Sequence, residues 1–325
     1  MKQRYTLLAV AFALAAVLPL CGQQPGHYSL YFMNKAHWNP AYAGLDNSLS
    51  ITGGFRAQWV GLDGNPTSQN LNLHMPLYIS SGGIGINLEN DELGAQRRTA
   101  ATLAYNYQLQ LGSGILSIGL AGGVVQGALD GSRLRAPEGT YDTENNIFLH
   151  NDDLLPLTEE TTIVPTFHAG LYYQSEKLEI GLSSQNVTEA SADFSTVSIQ
   201  LKRNYFAIVD MHFELGSNLS LHPSAFVRSD FIQTQTDLSL RVQYNDNLFA
   251  GASFRGYNTN SIDAVAIIAG FKLSEKFTFA YAYDLTLSDL NLVSNGSHEI
   301  MLNYNLNKAI GQGRPPNIIY NPRAL

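Results

Sequence analysis

Apolar and polar residues alternate along most of this chain. Between residues 70 and 77, Leu and Met alternate with Asn, His and Pro, and between residues 277 and 286, Phe, Tyr and Leu alternate with Thr, Ala and Asp. A period of two places the apolar side chains on one face of a β-strand. No long stretch has the 3.6-residue period of an amphipathic helix, so the pattern predicts an all-β protein.

The alternation recurs in about fourteen segments of roughly ten residues each. They begin near Leu49, Ser68, Gly83, Arg97, Ile115, Thr162, Lys177, Ser198, Leu219, Thr236, Leu248, Ile262, Lys276 and Ser297. An even number of antiparallel strands closes neatly into a barrel, with the first and last strands meeting and both chain ends at one rim.

The connections between these segments alternate in length. Minimal turns lie at 112–114, 175–177, 216–218, 245–247 and 274–276, and longer loops at 128–161, 186–197 and 287–296. This is typical of outer-membrane barrels, whose short turns are periplasmic, and it predicts a polar lumen and two periplasmic termini. A soluble β-sandwich also alternates, but the long strands, the aromatic residues near strand ends and the polar inner face favour the barrel.

Composition narrows the function classes. Charged residues make up 14% of the 325 residues and hydrophobic residues 45%. No run reaches the roughly 18 apolar residues that a spanning helix needs. The net charge is −8, and no cluster of Lys and Arg is present. Because phosphate binding needs such clusters, nucleic acid is not expected as a partner.

Residues 1–22 are predicted to be a secretory signal peptide. Two basic residues precede an apolar run that ends at Leu20 and is too short to span a bilayer. Cys21 raises the alternative of a lipoprotein anchor, but Leu20 is large where a lipobox has a small residue. Cleavage after Gly22 would leave the exported chain without cysteine.

We divide the rest of the chain into an N-terminal periplasmic segment (23–48), a transmembrane barrel (49–306) and a periplasmic tail (307–325). Pro40 biases Asn39 towards an extended backbone, which suits either a segment that enters or underlies the barrel or a plain loop before the first strand. Gly and Pro exclude a helical tail, and its apolar strip predicts an extended docking peptide. The alternative is a packed end that seals the barrel.

Catalytic and metal-binding signatures are weak. The eight His are scattered, without an H-E-x-x-H motif. His74, His168 and His212 could meet Ser and Asp across the lumen, as in a barrel lipase, but any polar barrel offers such residues by chance. We therefore predict no enzyme, no cofactor and no metal.

Two loops have sequences that could indicate a binding site. The glycine-rich segment 61–66 lacks the Lys and the following helix of a phosphate-binding loop, so we expect an outer turn. The stretch 138–160 is acidic without Lys or Arg. Its oxygens would suit Ca²⁺, but the spacing is not that of an EF-hand and a solvated loop is favoured. The whole loop 128–161 is long enough to be functional, and we expect it to help form a mouth that faces a secreted partner.

Several motifs give the chain a resemblance to a known family. They are His-Tyr-Ser-Leu-Tyr-Phe-Met-Asn at 27–34, Asn-Pro-Ala-Tyr-Ala-Gly at 39–44, Arg-Ala-Gln-Trp-Val-Gly-Leu-Asp-Gly-Asn-Pro at 56–66, Gly-Ser-His-Glu-Ile at 296–300 and Tyr-Asn-Pro-Arg at 320–323. Over essentially the whole mature chain, the sequence resembles the PorP/SprF family. Ala324 departs from the pattern, since the family more commonly has an aromatic residue there.

The resemblance implies an outer-membrane barrel of Bacteroidetes-type bacteria, associated with type IX secretion and, in one branch, with export or surface attachment of large gliding adhesins. The implied partners are a secreted adhesin or other type IX cargo, periplasmic secretion-ring proteins and outer-membrane lipid. The candidate partner-binding residues are those of the motifs: Asn39, Pro40, Arg56, Gln58, Trp59, Gly61, Asp63, Gly64, Pro66, His298, Tyr320, Asn321, Pro322 and Arg323.

Two function classes remain open for such a barrel. One is a secretion component that works by binding a secreted protein, and the other is a general porin or small-solute channel. We expect the N-terminal segment or inward side chains to obstruct the lumen, which would favour binding. Trp59 is expected to be an anchor at the membrane interface.

Overall fold

The structure, a computed structural model, describes residues 26–77, 80–142, 147–152, 155–195, 197–257 and 261–308. Fourteen antiparallel strands form one closed barrel. They are β1 (Ser50–Ala57), β2 (Thr67–Leu77), β3 (Gly82–Leu93), β4 (Gln96–Leu111), β5 (Gly114–Asp130), β6 (Glu159–Gln174), β7 (Leu178–Gln185), β8 (Asn204–Met211, continued by Phe213–Glu214), β9 (Leu219–Ser229), β10 (Thr234–Tyr244), β11 (Leu248–Tyr257), β12 (Ser261–Lys272), β13 (Phe277–Thr286) and β14 (Ser297–Asn305).

Each strand pairs with the next along the chain, and β1 pairs with β14 to close the barrel. The predicted barrel is therefore confirmed, and the β-sandwich alternative is wrong. Most predicted strand starts lie within three residues of the observed ones. Ser198 is an exception, because Ser198–Gln200 pairs with Ser191–Asp193 in a small hairpin at the rim and β8 begins only at Asn204.

Side chains alternate between lipid and lumen as the sequence pattern predicts. Leu103 and Leu120 point outward in the middle of β4 and β5 and are 61% and 66% exposed. Asn106 and Ser117 point inward on the same strands and are fully buried. An apolar outer face and a polar inner face are what a barrel in a bilayer requires.

The two rims differ, as loop lengths predicted. We call one rim the short-turn rim. It carries the turns between β4 and β5, β6 and β7, β10 and β11, and β12 and β13. Strand β1 starts and β14 ends at the same rim. At the other, the long-loop rim, are the loops 58–66, 131–158, 186–203 and 287–296.

Helical structure is sparse. In the described residues it includes α1 (Lys35–Trp38) and the 3₁₀ turns Tyr31–Met33, Pro40–Tyr42, Gly131–Arg133 and Asp289–Leu292. Within the described ranges, none of the helices has the length and apolar character needed to cross a membrane.

The outward face generates a first prediction. Leu103→Arg places a charge near the middle of the lipid-facing surface and should destabilise the barrel by about 2–4 kcal/mol, whereas Gln126→Arg, outward but near the long-loop rim, should cost about 1 kcal/mol or less. Equilibrium unfolding in lipid vesicles measures both. Equal effects of the two variants would contradict the assigned lipid-facing surface.

Candidate functional site

Residues 26–49 run through the barrel lumen, and we call this segment the plug. It starts near the long-loop rim, where Arg228 donates to the Gly26 carbonyl at 3.4 Å, and it ends at Ser50 on the short-turn rim. Leu30, Tyr31, Ala41 and Leu45 have no exposed surface, although the regular structure of the segment consists only of short helical turns. The wall therefore encloses the plug completely along much of its length.

The described part of the predicted N-terminal segment, residues 26–48, lies inside the barrel. Gly26 lies near Ser68 and Asp91, close to the long-loop rim, whereas β14 ends at the short-turn rim. The periplasmic location of residues 23–48 and of both termini stays a prediction.

A group of buried charges, which we call the arginine cluster, holds the start of the plug. It contains Arg56, Asp237, Arg255, Asp284 and Glu299, all at most 2% exposed. Asp284 accepts from Arg56 at 2.6 Å and from Arg255 at 2.7 Å. Arg56 also reaches Glu299 at 3.1 Å, and Arg255 reaches Asp237 at 2.7 Å. These residues come from five strands, β1, β10, β11, β13 and β14, so the cluster spans a section of the wall.

Ser29 is the plug residue at the centre of the arginine cluster. Its hydroxyl donates to Asp284 at 2.7 Å and accepts from Arg255 at 2.8 Å. Glu299 accepts the backbone N–H groups of Ser29 and Leu30 at 2.6 and 3.0 Å. Charge-assisted hydrogen bonds of this kind are stronger than neutral ones. The wall thus binds the plug through its main chain as well as its side chain.

A second ionic contact, the lysine cluster, lies further along the plug. The Lys35 ammonium is 2.7 Å from Glu179 and 3.1 Å from Asp210, and Arg241 is 3.0 Å from Asp210. Two wall carboxylates thus pair with the Lys35 ammonium inside the lumen.

The motif at residues 39–44 forms a tight bend against the wall. The Asn39 side chain donates to the carbonyls of Leu171 and Leu182 on β6 and β7, and its oxygen accepts from Ala41 N–H at 2.9 Å. From the opposite side, the Asn106 amide donates to the carbonyl of Ala43 at 2.6 Å. Side-chain amides thus satisfy plug backbone groups that have no strand partner.

Wall glycines make room for this bend. A Cβ at Gly119 would lie 2.3 Å from Ala41 N, one at Gly170 would lie 2.0 Å from the Asn39 side chain, and one at Gly83 would lie 2.0 Å from the Ala43 carbonyl. Side chains at these positions would collide with the plug. The strands are therefore shaped for this segment rather than for an empty lumen.

Aromatic residues fill the space between the two ionic clusters. Tyr31 stacks on Phe226 with ring centroids 4.9 Å apart, and Trp38 packs on Phe206 and Phe226. The Tyr31 hydroxyl contacts Ser224 at 2.8 Å, so its polar end is also satisfied. These wall aromatics point inward, against the polar trend of the inner face, because the plug covers them.

A separate apolar cluster lies nearer the long-loop rim. The hairpin of Ser191–Asp193 and Ser198–Gln200 folds inward, and Ala192 and Leu201 pack against Val125 and Val164. This packing explains why Ser198–Gln200, the start of the predicted segment, does not belong to the barrel strand, which begins at Asn204.

The structure brings some predicted site residues together. Asn39 and Pro40 lie in the plug and Arg56 in the arginine cluster, all buried in the lumen. The extended Asn39 belongs to a segment that enters the barrel, not to a plain loop before β1. Gln58 is buried at the end of β1, where its N–H donates to the Pro66 carbonyl.

The remaining described candidates lie at the long-loop rim. Trp59 has a left-handed backbone with φ of 52° and is half-buried, and Gly61 and Gly64 have φ of 106° and 67° in an outer turn. Asp63 is exposed in that turn. His298 faces outward and contacts the Tyr281 hydroxyl at 2.7 Å, away from the lumen.

Other predicted positions are apart or outside the described residues. Tyr320, Asn321, Pro322 and Arg323, and the signal peptide, are not among the described residues. His74 contacts Gly44 N–H, His168 contacts Thr166, and His212 contacts His222, so the three do not meet. Groups of three or more potential metal ligands are absent from the described part of the chain.

The sequence prediction missed the carboxylate partners of the arginine cluster and of the lysine cluster. Asp284, Glu299 and Asp210 each occupy an inward position on a strand in a chain with only 14% charged residues. A charge in a barrel lumen that is not open to water must be paired. Charged residues at inward strand positions are therefore a sequence feature that could have indicated the clusters, although the sequence does not reveal which charges pair.

Comparisons with known proteins agree with this fold. A family model described as type IX secretion system membrane protein PorP/SprF matches residues 20–304. The search of curated proteins found no match.

The solved structures to which the chain is similar have low sequence identity to it. The Ralstonia pickettii toluene transporter TbuX is 11% identical, with 82% of this chain and 91% of that chain covered and a TM-score of 0.50. Acinetobacter baumannii Omp33 is 6% identical, with 80% and 98% covered and a TM-score of 0.47. A Pseudomonas aeruginosa FadL homologue is 12% identical, with 83% and 93% covered and a TM-score of 0.45.

The arginine cluster generates a stability prediction. Arg56→Met leaves the buried Asp284 and Glu299 short of a cation and should lower the free energy of unfolding by about 3–5 kcal/mol. Arg97→Met is the matched control, because the Arg97–Glu159 pair is about half exposed and its loss should change stability by about 1 kcal/mol or less. Guanidinium unfolding in vesicles measures both, and an equal effect of the two would refute a supporting role for the cluster.

His27 generates a pH prediction. Burial, and then the nearby Arg228, Arg255 and Arg56, lower the pKa of His27, whose Nε2 lies 2.6 Å from Arg228. The unfolded chain therefore takes up a proton below about pH 6.5 that the folded protein binds only at lower pH, so acidification reduces stability. His27→Gln should flatten the fall in unfolding free energy between pH 6.5 and 5. An unchanged slope in that variant would exclude His27 as its source.

Proposed function

The chain belongs to the PorP/SprF family of type IX secretion system membrane proteins, and we propose that it binds a secreted protein, such as a large gliding adhesin, and supports its export or surface attachment. It is an outer-membrane component of that system. The binding surface in this proposal is the long-loop rim, with loop 131–158 and the neighbouring hairpin, facing the outside of the cell.

The observation that carries the proposal is the plug. Ionic clusters, an aromatic layer and wall glycines hold residues 26–49 in the lumen. A barrel whose interior is filled in this way offers its rims rather than a water-filled path. The filled interior supports a role in binding and weighs against the alternative of a general porin or small-solute channel, for which the polar inner face would be sufficient.

The short-turn rim is the proposed side for the secretion machinery. The last described residues remain attached there, since Leu306 N–H bonds to the Leu49 carbonyl and Lys308 N–H to Ser48. The tail that follows is proposed to reach periplasmic secretion-ring proteins as an extended peptide. In this arrangement one rim holds the cargo and the other holds the machinery. We propose no catalytic role and no cofactor.

The long loop gives the decisive test. Replacing residues 131–158 with a short Gly-Ser linker should abolish surface display of the cognate adhesin, because the linker removes the proposed binding mouth. Gly131 N–H already bonds to the Thr158 carbonyl, so the ends are close enough to join. Immunolabelling of intact cells measures display, and heat-modifiability on gels confirms insertion.

Two controls distinguish the effect of the loop on adhesin display from the effect of the whole protein. A strain without the protein sets the baseline, and the charge-neutral variant Glu138→Gln, Asp142→Asn, Asp152→Asn keeps the loop length. Normal display without the protein would reject the proposed function. Normal display with only the loop replaced would assign binding elsewhere on the barrel.

A further inference from the structure

Strand β6 extends well beyond its neighbour β7 at the long-loop rim. Along β5 it pairs from Glu159 to Gln174, but along β7 it pairs only from Ala169 to Gln174. One further bond, from Val187 N–H to the Phe167 carbonyl, closes this side. From Glu159 to about Thr166, β6 is therefore the outer edge of a lobe formed by β4, β5 and β6.

The position of Pro165 identifies which backbone groups face that edge. In an antiparallel pair, residues alternate between bonding to the partner strand and pointing away from it. Pro165 has no N–H to donate to β5, and it lies opposite Val124 without a register shift. Pro165 is therefore one of the residues whose backbone groups point away from β5, towards the edge. Ile163 and Thr161 belong to the same set. Among the described residues, their backbone N–H groups have no hydrogen-bond partner.

The free edge lies above the hydrocarbon layer. Outward side chains on the lobe change from apolar at Val124 to polar at Gln126 and Thr99, and Arg97 and Glu159 form an exposed pair. Unpaired backbone groups are not tolerated facing lipid, but they are tolerated in water. The edge is thus a water-exposed row of donors and acceptors, and Pro165 marks its membrane-side end.

An extended chain can replace the water on such a row, because strand addition matches donors and acceptors at the strand repeat. Loop 138–160, which leads into the edge strand, contains acidic residues and no Lys or Arg. Of the two carboxylates on the edge strand itself, Glu159 is paired with Arg97, and Glu160 accepts a hydrogen bond from the Ser195 N–H. Two copies of this chain joined at the same edges would bring these carboxylates together. The edge therefore favours a strand of opposite charge over self-association.

We propose that the free edge of β6 captures an extended segment of the secreted partner, with apolar and β-branched residues flanked by Lys or Arg, as an added antiparallel strand. The inference rests on the proposed function for the identity of the partner. Thr161 and Ile163 supply the backbone donors, and their carbonyls together with that of Pro165 supply the acceptors. Ile163, which is 66% exposed, provides an apolar outward contact.

The test uses the full-length protein in nanodiscs and a fluorescent synthetic peptide, Lys-Lys-Thr-Val-Thr-Val-Thr-Val-Lys-Lys. The variant Thr161→Pro, Ile163→Pro removes the two edge donors without removing bonds to β5. It should weaken binding roughly 10-fold or more, because about two hydrogen bonds are lost. The control Thr161→Ala, Ile163→Ala keeps both donors and should bind within about 3-fold of the unaltered protein. Fluorescence anisotropy measures affinity, and hydrogen exchange should show protection of residues 159–165.

Each outcome decides the inference. Absence of peptide binding, binding that the proline variant retains, or protection elsewhere would overturn it. Equal binding of a peptide with Glu in place of Lys would overturn its charge preference. In cells, display of the adhesin could depend on the protein and yet survive the proline substitutions. This result would reject strand capture by the β6 edge and leave the proposed function intact. Adhesin display that does not depend on the protein would reject the proposed function. The peptide-binding assay would then still test whether the β6 edge binds an extended strand.

Discussion

The structure depends on the pairing of buried charges between the barrel wall and the plug. Two guanidinium groups, from Arg56 and Arg255, and three wall carboxylates meet around Ser29 with almost no exposure to solvent. Charges in such a place are unfavourable unless each has partners. The plug supplies part of what they need, since Ser29 and Leu30 donate to Glu299. Removing the plug would take these hydrogen bonds from Glu299 and the Ser29 contacts from Asp284 and Arg255, so wall and plug stabilise one another.

Shape reinforces this electrostatic match. Gly83, Gly119 and Gly170 leave space only where the Asn39-to-Gly44 bend touches the wall, and Asn106 satisfies the carbonyls that the bend exposes. Strand glycines normally weaken a sheet, so their presence at these contacts is explained by close approach of another backbone. The motif around Asn39 and Pro40 is therefore structural in the first instance: it seats the plug, and the rims remain for binding.

Much of this architecture is predictable from sequence, and the failures have physical causes. Alternation with period two fixed the strands because it reports burial on one face, and it misassigned Ser198 because the inward-folding hairpin also alternates. Arg56 was identified as a candidate, but its partners Asp284 and Glu299 lie 228 and 243 residues away, and no local pattern encodes such pairs. An N-terminal segment in the lumen was among the expectations, but the wall residues that hold the plug were not predictable, since its contacts are almost all long-range. The free edge of β6 depends on where β7 ends, which a strand pattern gives only to within a few residues.

The central claim is that residues 26–49 close the lumen, and single-channel recording in planar bilayers tests it most directly. The full-length protein should give no large, stable channels, and a variant in which residues 27–47 are replaced by a short Gly-Ser linker should open a wide, persistent pore. Large and stable conductance from the unaltered protein, equal to that of the variant, would contradict the account and make the barrel a porin.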